Sequence, residues 1–244
     1  MLDDLVGFNL DHPVSSYGFG EYSVILTGVS QTGANRRRFN ELAGTNLGRL
    51  GGISDGIFAV GMTLLVLGLA VPALSSGATD GELWQGLLKL GPSLLIYMMS
   101  FMTLGIFWVG QGSQLGQLAR SNRTYSWLQL TFLFAVTLVP FSTALLAHFP
   151  GLRISLVEYW LNIVLLGGML LAGLEYGLRA HLFHEAQARE VVRLMRGRIW
   201  IAQALYAVAT ALSAFFPTWV SITLIVLIQL NYVIAPRIPI LHRF

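Results

Sequence analysis

A carboxylate, Asp55, and a hydroxyl, Thr63, stand inside an otherwise apolar run, GGISDGIFAVGMTLLVLGLAVP, that fills residues 51–72. In hydrocarbon a carboxylate costs several kcal/mol unless it faces water or a protein partner. A ring of hydroxyls can replace part of a cation's hydration shell, and a ring of apolar side chains can block a pore by dewetting. At 100° per residue, Val60, Leu64 and Leu67 fall on one stripe with Thr63 beside it, and Asp55 lies about 140° from Val60. The run therefore reads as the first helix of a membrane protein, with polar groups that point to a function for that helix. The stripe alone fits a pore, a helix contact or a lipid face. Asp55 follows Ser54 and lies one to two turns from Arg49. It either complements the helix N-terminus together with the arginine or joins a buried polar lock between helices. Gly51, Gly52, Gly56, Gly61 and Gly68 allow close helix approach in lipid.

Such a helix needs a membrane fold around it, and the composition supplies one. Of 244 residues, 55% are apolar and 11% charged, and the mean hydropathy is +0.65, values that leave little for a large soluble domain. About 20 apolar residues span a bilayer. The sequence offers six such spans, near 53–74, 83–109, 125–147, 154–178, 199–216 and 218–234. None shows the alternation of barrel strands, so the expected fold is all-α with six transmembrane helices. The expected organisation is an N-terminal tail over 1–44, a six-helix transmembrane domain over 45–236, and a short tail over 237–244.

Basic residues gather in alternate loops. Arg36, Arg37, Arg38 and Arg49 precede the first span; Arg120 and Arg123 follow the second; Arg179, Arg189, Arg193, Arg196 and Arg198 follow the fourth; Arg237 and Arg243 close the chain. The opposite side has Lys89 and Arg153. This predicts both termini on the cytoplasmic side. The net charge of +3 thus reads as topology, and no nucleic-acid partner is expected. Pro92 and Pro140 predict kinks in spans two and three. Trp84, Trp108, Trp127, Tyr159, Trp160 and Trp219 read as interfacial anchors.

Other signals are weaker. The chain has no cysteine, which removes disulfides and thiolate sites. His181 and His184, with Glu185 beside them, read as a solvated helix end, so no metal or other cofactor is expected. Tyr17-Gly18-Phe19-Gly20 superficially resembles a carbonyl filter but has no membrane helix before it. Glu175 and Arg179 stand at i, i+4 and predict an interfacial ion pair. Arg189, Arg193 and Arg196 form a stripe in the loop before span five that suits anionic lipid headgroups or simply topology. No assembled nucleophile and base suggests an enzyme.

The stretch RLGGISDG at 49–56 resembles the arginine, three residues, Phe-Ser-Asp signature that opens the first helix of the transmembrane protein 175 family of potassium channels, with Ile53 in place of the phenylalanine. IFAVGMTLLVL at 57–67, YMMSFMTLGIFW at 97–108 and LVPFSTALLA at 138–147 resemble that family's first three helices. Gln111-Gly112 stand where many members carry two histidines. The resemblance implies a homotetramer in a prokaryotic plasma membrane, with four first helices around a pore for potassium and other monovalent cations. Val60, Leu64 and Leu67 would constrict it, Thr63 would form a modestly selective polar layer, and Arg49, Ser54, Asp55 and Trp108 would lock the first helix. Two other readings remain at this level: a proton-coupled carrier using Asp55 or Glu175, and a non-transporting scaffold.

Overall fold

The computed structural model describes residues 46–184 and 188–234. Both expected tails, the Tyr17 to Gly20 stretch, Glu185, and the basic residues at 36–38, 237 and 243 lie outside the described residues.

Asn46 opens the first helix by accepting the backbone N–H of Arg49 at 3.1 Å, which satisfies one of the free donors of a helix start. Helix α1 covers Leu47–Leu65 and tightens into a 3₁₀ turn at Val66–Gly68. It ends short of the expected 74 because Pro72 disfavours helical geometry in the residue before it. The expected second span divides in two. Helix α2 covers Asp80–Lys89 and helix α3 covers Gly91–Gly116. Pro92 sits in the first turn of α3, where its missing N–H costs nothing, so it starts a helix and does not kink one. Helix α2 is a surface element without a buried residue. The side chain of Thr79 and that of Glu82 each accept a backbone N–H from the other at its start.

Helices α4, Arg123–His148, α5, Arg153–Arg179, α6, Ala188–Ala211, and α7, Thr218–Ile234, complete the described fold. Pro140 lies inside α4 as expected. The arginines at 189, 193 and 196 belong to the first turns of α6 and not to a loop. Among the described residues, four stretches are long and apolar enough to cross a membrane: 47–68, 91–116, 123–148 and 153–179. Helix α6 falls outside that set because its first half is charged, and α7 because it has 17 residues.

The main core gathers apolar side chains of α1, α3, α4, α5, α6 and α7. Phe132 anchors it, with ring centroids 6.0 Å from Phe58 and 6.4 Å from Phe107. Tyr159, expected at an interface, is instead in this core, its hydroxyl 2.9 Å from Thr103 Oγ1 and within reach of Ser100. A buried phenol keeps hydrogen-bond partners, and a tyrosine with two hydroxyl neighbours is satisfied where an interfacial one would use water. At one end a smaller cluster of Leu50, Leu118, Tyr125, Leu174, Leu182, Phe183 and Val192 ties two loops together. Ala119 N–H donates to Leu182 O there at 2.8 Å. The chain reverses beside it at His181, whose φ is 51°. Because α5 ends at Arg179, His181 and His184 share no helical face, and no metal-ligand cluster of His, Asp or Glu occurs among the described residues.

Glu175 pairs with Arg196 of α6 at 2.5 Å, across the helix contact, and not with Arg179 one turn away. An i, i+4 pair on one helix is worth only a few tenths of a kcal/mol, so a cation brought by a packed neighbour outcompetes it. Arg196 is thereby committed to the protein and withdrawn from the expected headgroup stripe.

Candidate functional site: the first helix and its lock

Helix α1 has two dissimilar faces. Leu50, Ser54, Phe58, Gly61 and Leu65 are buried at helical spacing and fix the helix against α3 and α4. Gly61 packs there too: a Cβ at this position would meet Leu104 at 3.6 Å and Val136 at 3.9 Å, ordinary contact distances. The opposite face carries Val60, Leu64 and Leu67, which are 56%, 45% and 77% exposed. Leu67 sits in the 3₁₀ turn that follows α1. Only 28% of the most apolar window of this span is buried, so the chain leaves most of this helix for something other than itself. Thr63, beside the stripe, donates its hydroxyl proton to Val60 O at 2.8 Å. Its lone pairs are left pointing away from that bond.

Below the stripe the polar residues find partners on α3 and α4. Trp108 donates its indole N–H to Asp55 at 2.8 Å. Ser54 accepts from the Gln111 amide at 2.7 Å, and the same amide group donates to Gln129 Oε1 at 3.2 Å. Gln129 then donates to the Tyr125 hydroxyl at 2.8 Å. Ser54, Gln111 and Gln129 are all buried. A chain of this kind fixes three helices in one register, because each buried polar group left alone would cost about 1–3 kcal/mol.

Of the four lock residues expected from the sequence, the structure brings together Ser54, Asp55 and Trp108. Among the described residues Arg49 makes no ion pair with Asp55; its backbone N–H serves the Asn46 cap. Gln111, which the sequence offered only as a departure from a histidine pair, proves to be the centre of the lock. Gln129 and Tyr125 were not foreseen. Glutamines at i, i+18 in two apolar helices were the available signal, since a lone amide in lipid needs a partner.

Beside the lock, between α1, α3 and Tyr232 of α7, lies an apolar groove of about 700 Å³ with Asp55 and Trp108 among its lining residues.

Residues 49–140 match the family model described as the endosomal/lysosomal potassium channel TMEM175. A potassium channel of Chamaesiphon minutus is 34% identical over 72% of this chain and 87% of its own length. A potassium channel of Streptomyces collinus is 38% identical over 42% of this chain, and the chain spans 48% of that protein. The crystal structure of a lysosomal potassium-selective channel TMEM175 homolog from Chamaesiphon minutus is 28% identical and superposes with a TM-score of 0.66, covering 77% of this chain and 96% of that one. On these matches, and with four stretches among the described residues apolar and long enough to cross a membrane, the chain is an integral membrane protein that belongs to the TMEM175 family.

Proposed function

We propose that the chain is one subunit of a homotetrameric, potassium-permeable channel whose pore is lined by α1 from each copy. The observation that carries this reading is the bare stripe of Val60, Leu64 and Leu67 on a helix whose other side is locked in place. Apolar side chains converging from four copies form a constriction that dewets when closed. Thr63 supplies the one polar layer near them. Its proton is held by Val60 O, so the hydroxyl oxygen presents lone pairs to a passing cation and no donor. A single layer of this kind exchanges only part of a hydration shell, and the expected preference for potassium over sodium and other monovalent cations is modest.

In this reading Ser54, Asp55 and Trp108, with Gln111 and Arg49, hold α1 at a fixed angle so that the stripe keeps its aim. Six helices cross the plasma membrane of a prokaryote, α1 and α3 to α7, with α2 lying outside. Both termini are cytoplasmic, and lipid surrounds the assembly. A coupled carrier built on Glu175 has less support, since that carboxylate is tied to Arg196.

Potassium and sodium flux through the purified protein in liposomes, with a protonophore present, tests the reading. Passive flux that prefers potassium, with the preference eroded in Thr63→Ala, supports it. Flux that requires a proton gradient, or none in any variant, overturns it.

A further inference from the structure

A carboxylate that the channel reading does not use sits early in α5. Glu158 is five residues past Arg153, about 7.5 Å along the helix from its start, and faces the Pro140 break in α4. Proline has no N–H, so Val136 O loses its rung in α4. The amide of buried Asn162, one turn after Glu158, lies across the rung before that break. In one orientation it donates to Ala135 O at 3.2 Å and accepts from Val139 N–H at 3.1 Å and from Ser142 Oγ at 2.9 Å. The reverse orientation keeps only a donation to Ser142 Oγ, and sets its NH₂ against the Val139 N–H and its oxygen against Ala135 O. Hydrogen-bond complementarity selects the first.

That choice has a consequence for protons. Ser142 has one hydroxyl proton, and three acceptors surround it: Asn162 at 2.9 Å, Leu138 O at 3.2 Å and Glu158 Oε1 at 3.1 Å. When Ser142 donates to Asn162, its contact with Glu158 is a hydrogen bond only if Glu158 is the donor. Glu158 Oε2 is buried and has no hydrogen-bond partner among the described residues, and Glu158 makes no ion pair there. The helices packed against α5 bring no charge to it within the membrane. No charged residue occurs on α3, on α4 between Arg123 and His148, or on α6 beyond Arg198. Their titratable groups are the tyrosines at 97, 125 and 206, and Tyr159 of α5 itself is bonded to Ser100 and Thr103. The nearest cations along the chain are Arg153 and His148.

We propose that Glu158 is a proton-binding site whose neutral acid completes the chain Glu158 to Ser142 to Asn162 and so braces α4 at Pro140. Loss of the proton makes Glu158 an acceptor, draws the Ser142 proton to it, and turns the Asn162 amide over so that it donates to Ser142. The brace on Ala135 and Val139 is then released. The braced segment touches the first helix, since Val136 faces Gly61 and Ala144 faces Gly68. An effect on conduction rests on the channel reading above; the proton site does not.

Infrared difference spectroscopy of the full-length protein in lipid, stepped through pH, reads the site directly. A protonated carboxylic C=O band that is lost on raising pH, and is missing from Glu158→Gln, is expected. Hydrogen exchange of the Val139 amide supplies the second measurement. Above the titration it should be about tenfold slower in Glu158→Gln than in the wild type, because the glutamine amide still donates to Ser142. No such band, a band that Glu158→Gln leaves intact, or equal Val139 protection in both proteins overturns the proposal. Liposome flux unaffected by pH, with the band and the exchange difference present, would leave the proton site standing and reject only its link to the pore.

Discussion

The two faces of α1 have much the same composition and opposite fates. Phe58 and Leu65 on one side are 1% and 2% exposed, held among side chains of α3 and α4. Val60 and Leu64 on the other, a residue or two away in sequence, are 56% and 45% exposed. Hydrophobicity does not separate the faces; the neighbours do. Ser54, Gln111 and Gln129 mark the inner face, because buried amides and hydroxyls are tolerated only where partners converge. An apolar face left bare by its own chain is the kind of surface that assembly or ion passage uses.

Substitutions on the two faces should therefore differ in kind. Phe58→Ala should cost the most, about 3–5 kcal/mol as for other fully buried aromatics, measured as loss of the folded fraction in a detergent denaturation series. Gln111→Leu comes next. It leaves Ser54 and Gln129 without their shared donor and should cost about 1–3 kcal/mol; restoration of stability by a second change, Gln129→Leu, would show that the amides act as a pair. Trp108→Phe keeps the ring and removes the bond to Asp55. About 1 kcal/mol or less is expected because that bond is half exposed, and a larger loss in potassium preference than in stability would sharpen its role in aiming the stripe. On the outer face Leu64→Ala should leave stability within about 0.5 kcal/mol and raise conductance. The reverse pattern, a large loss of stability without a change in flux, would break the contrast.

The smallest effect belongs to α2, which has neither face buried. The backbone N–H and hydroxyl of Thr79 hold the Glu82 carboxyl below its ordinary value. A carboxylate with a lowered folded-state pKa stabilises above its unfolded value, and the contribution disappears as pH falls through the folded one. Acidification below the usual carboxylate range should fray the start of α2, read by amide exchange at Glu82; Glu82→Gln should abolish the pH dependence, and Thr79→Ala, which keeps the backbone donor, should only weaken it, while α1 is unaffected.

The long apolar helices were legible in the sequence because hydrocarbon admits few alternatives to a helix. Partners were harder to read. The hydropathy of 83–109 runs through Leu90 and Gly91 without a break, and only the Pro92 signal, read there as a kink, marked where α2 gives way to α3. Glu175 has an arginine one turn away in sequence, yet its partner is on a packed neighbour. Tyr159 looks like an interfacial ring until Ser100 and Thr103 are placed beside it by the fold. Asp55 stands out in the sequence as a carboxylate in need of a partner, but Gln129 comes from a helix more than 70 residues later in the chain. Glu158 escaped notice among the apolar residues of α5, although a carboxylate inside a span is itself a signal.

The chain contains no cysteine, so a single introduced thiol reports its own surroundings. Leu64→Cys and Phe134→Cys place thiols at two exposed positions, on α1 and on α4, and reconstituted protein can be treated with a charged, membrane-impermeant thiol reagent while potassium flux is followed. The account predicts that Leu64→Cys is modified and its flux blocked, whereas Phe134→Cys is not modified and conducts as before. Equal protection of both thiols from the charged reagent would place the stripe in lipid and contradict the pore.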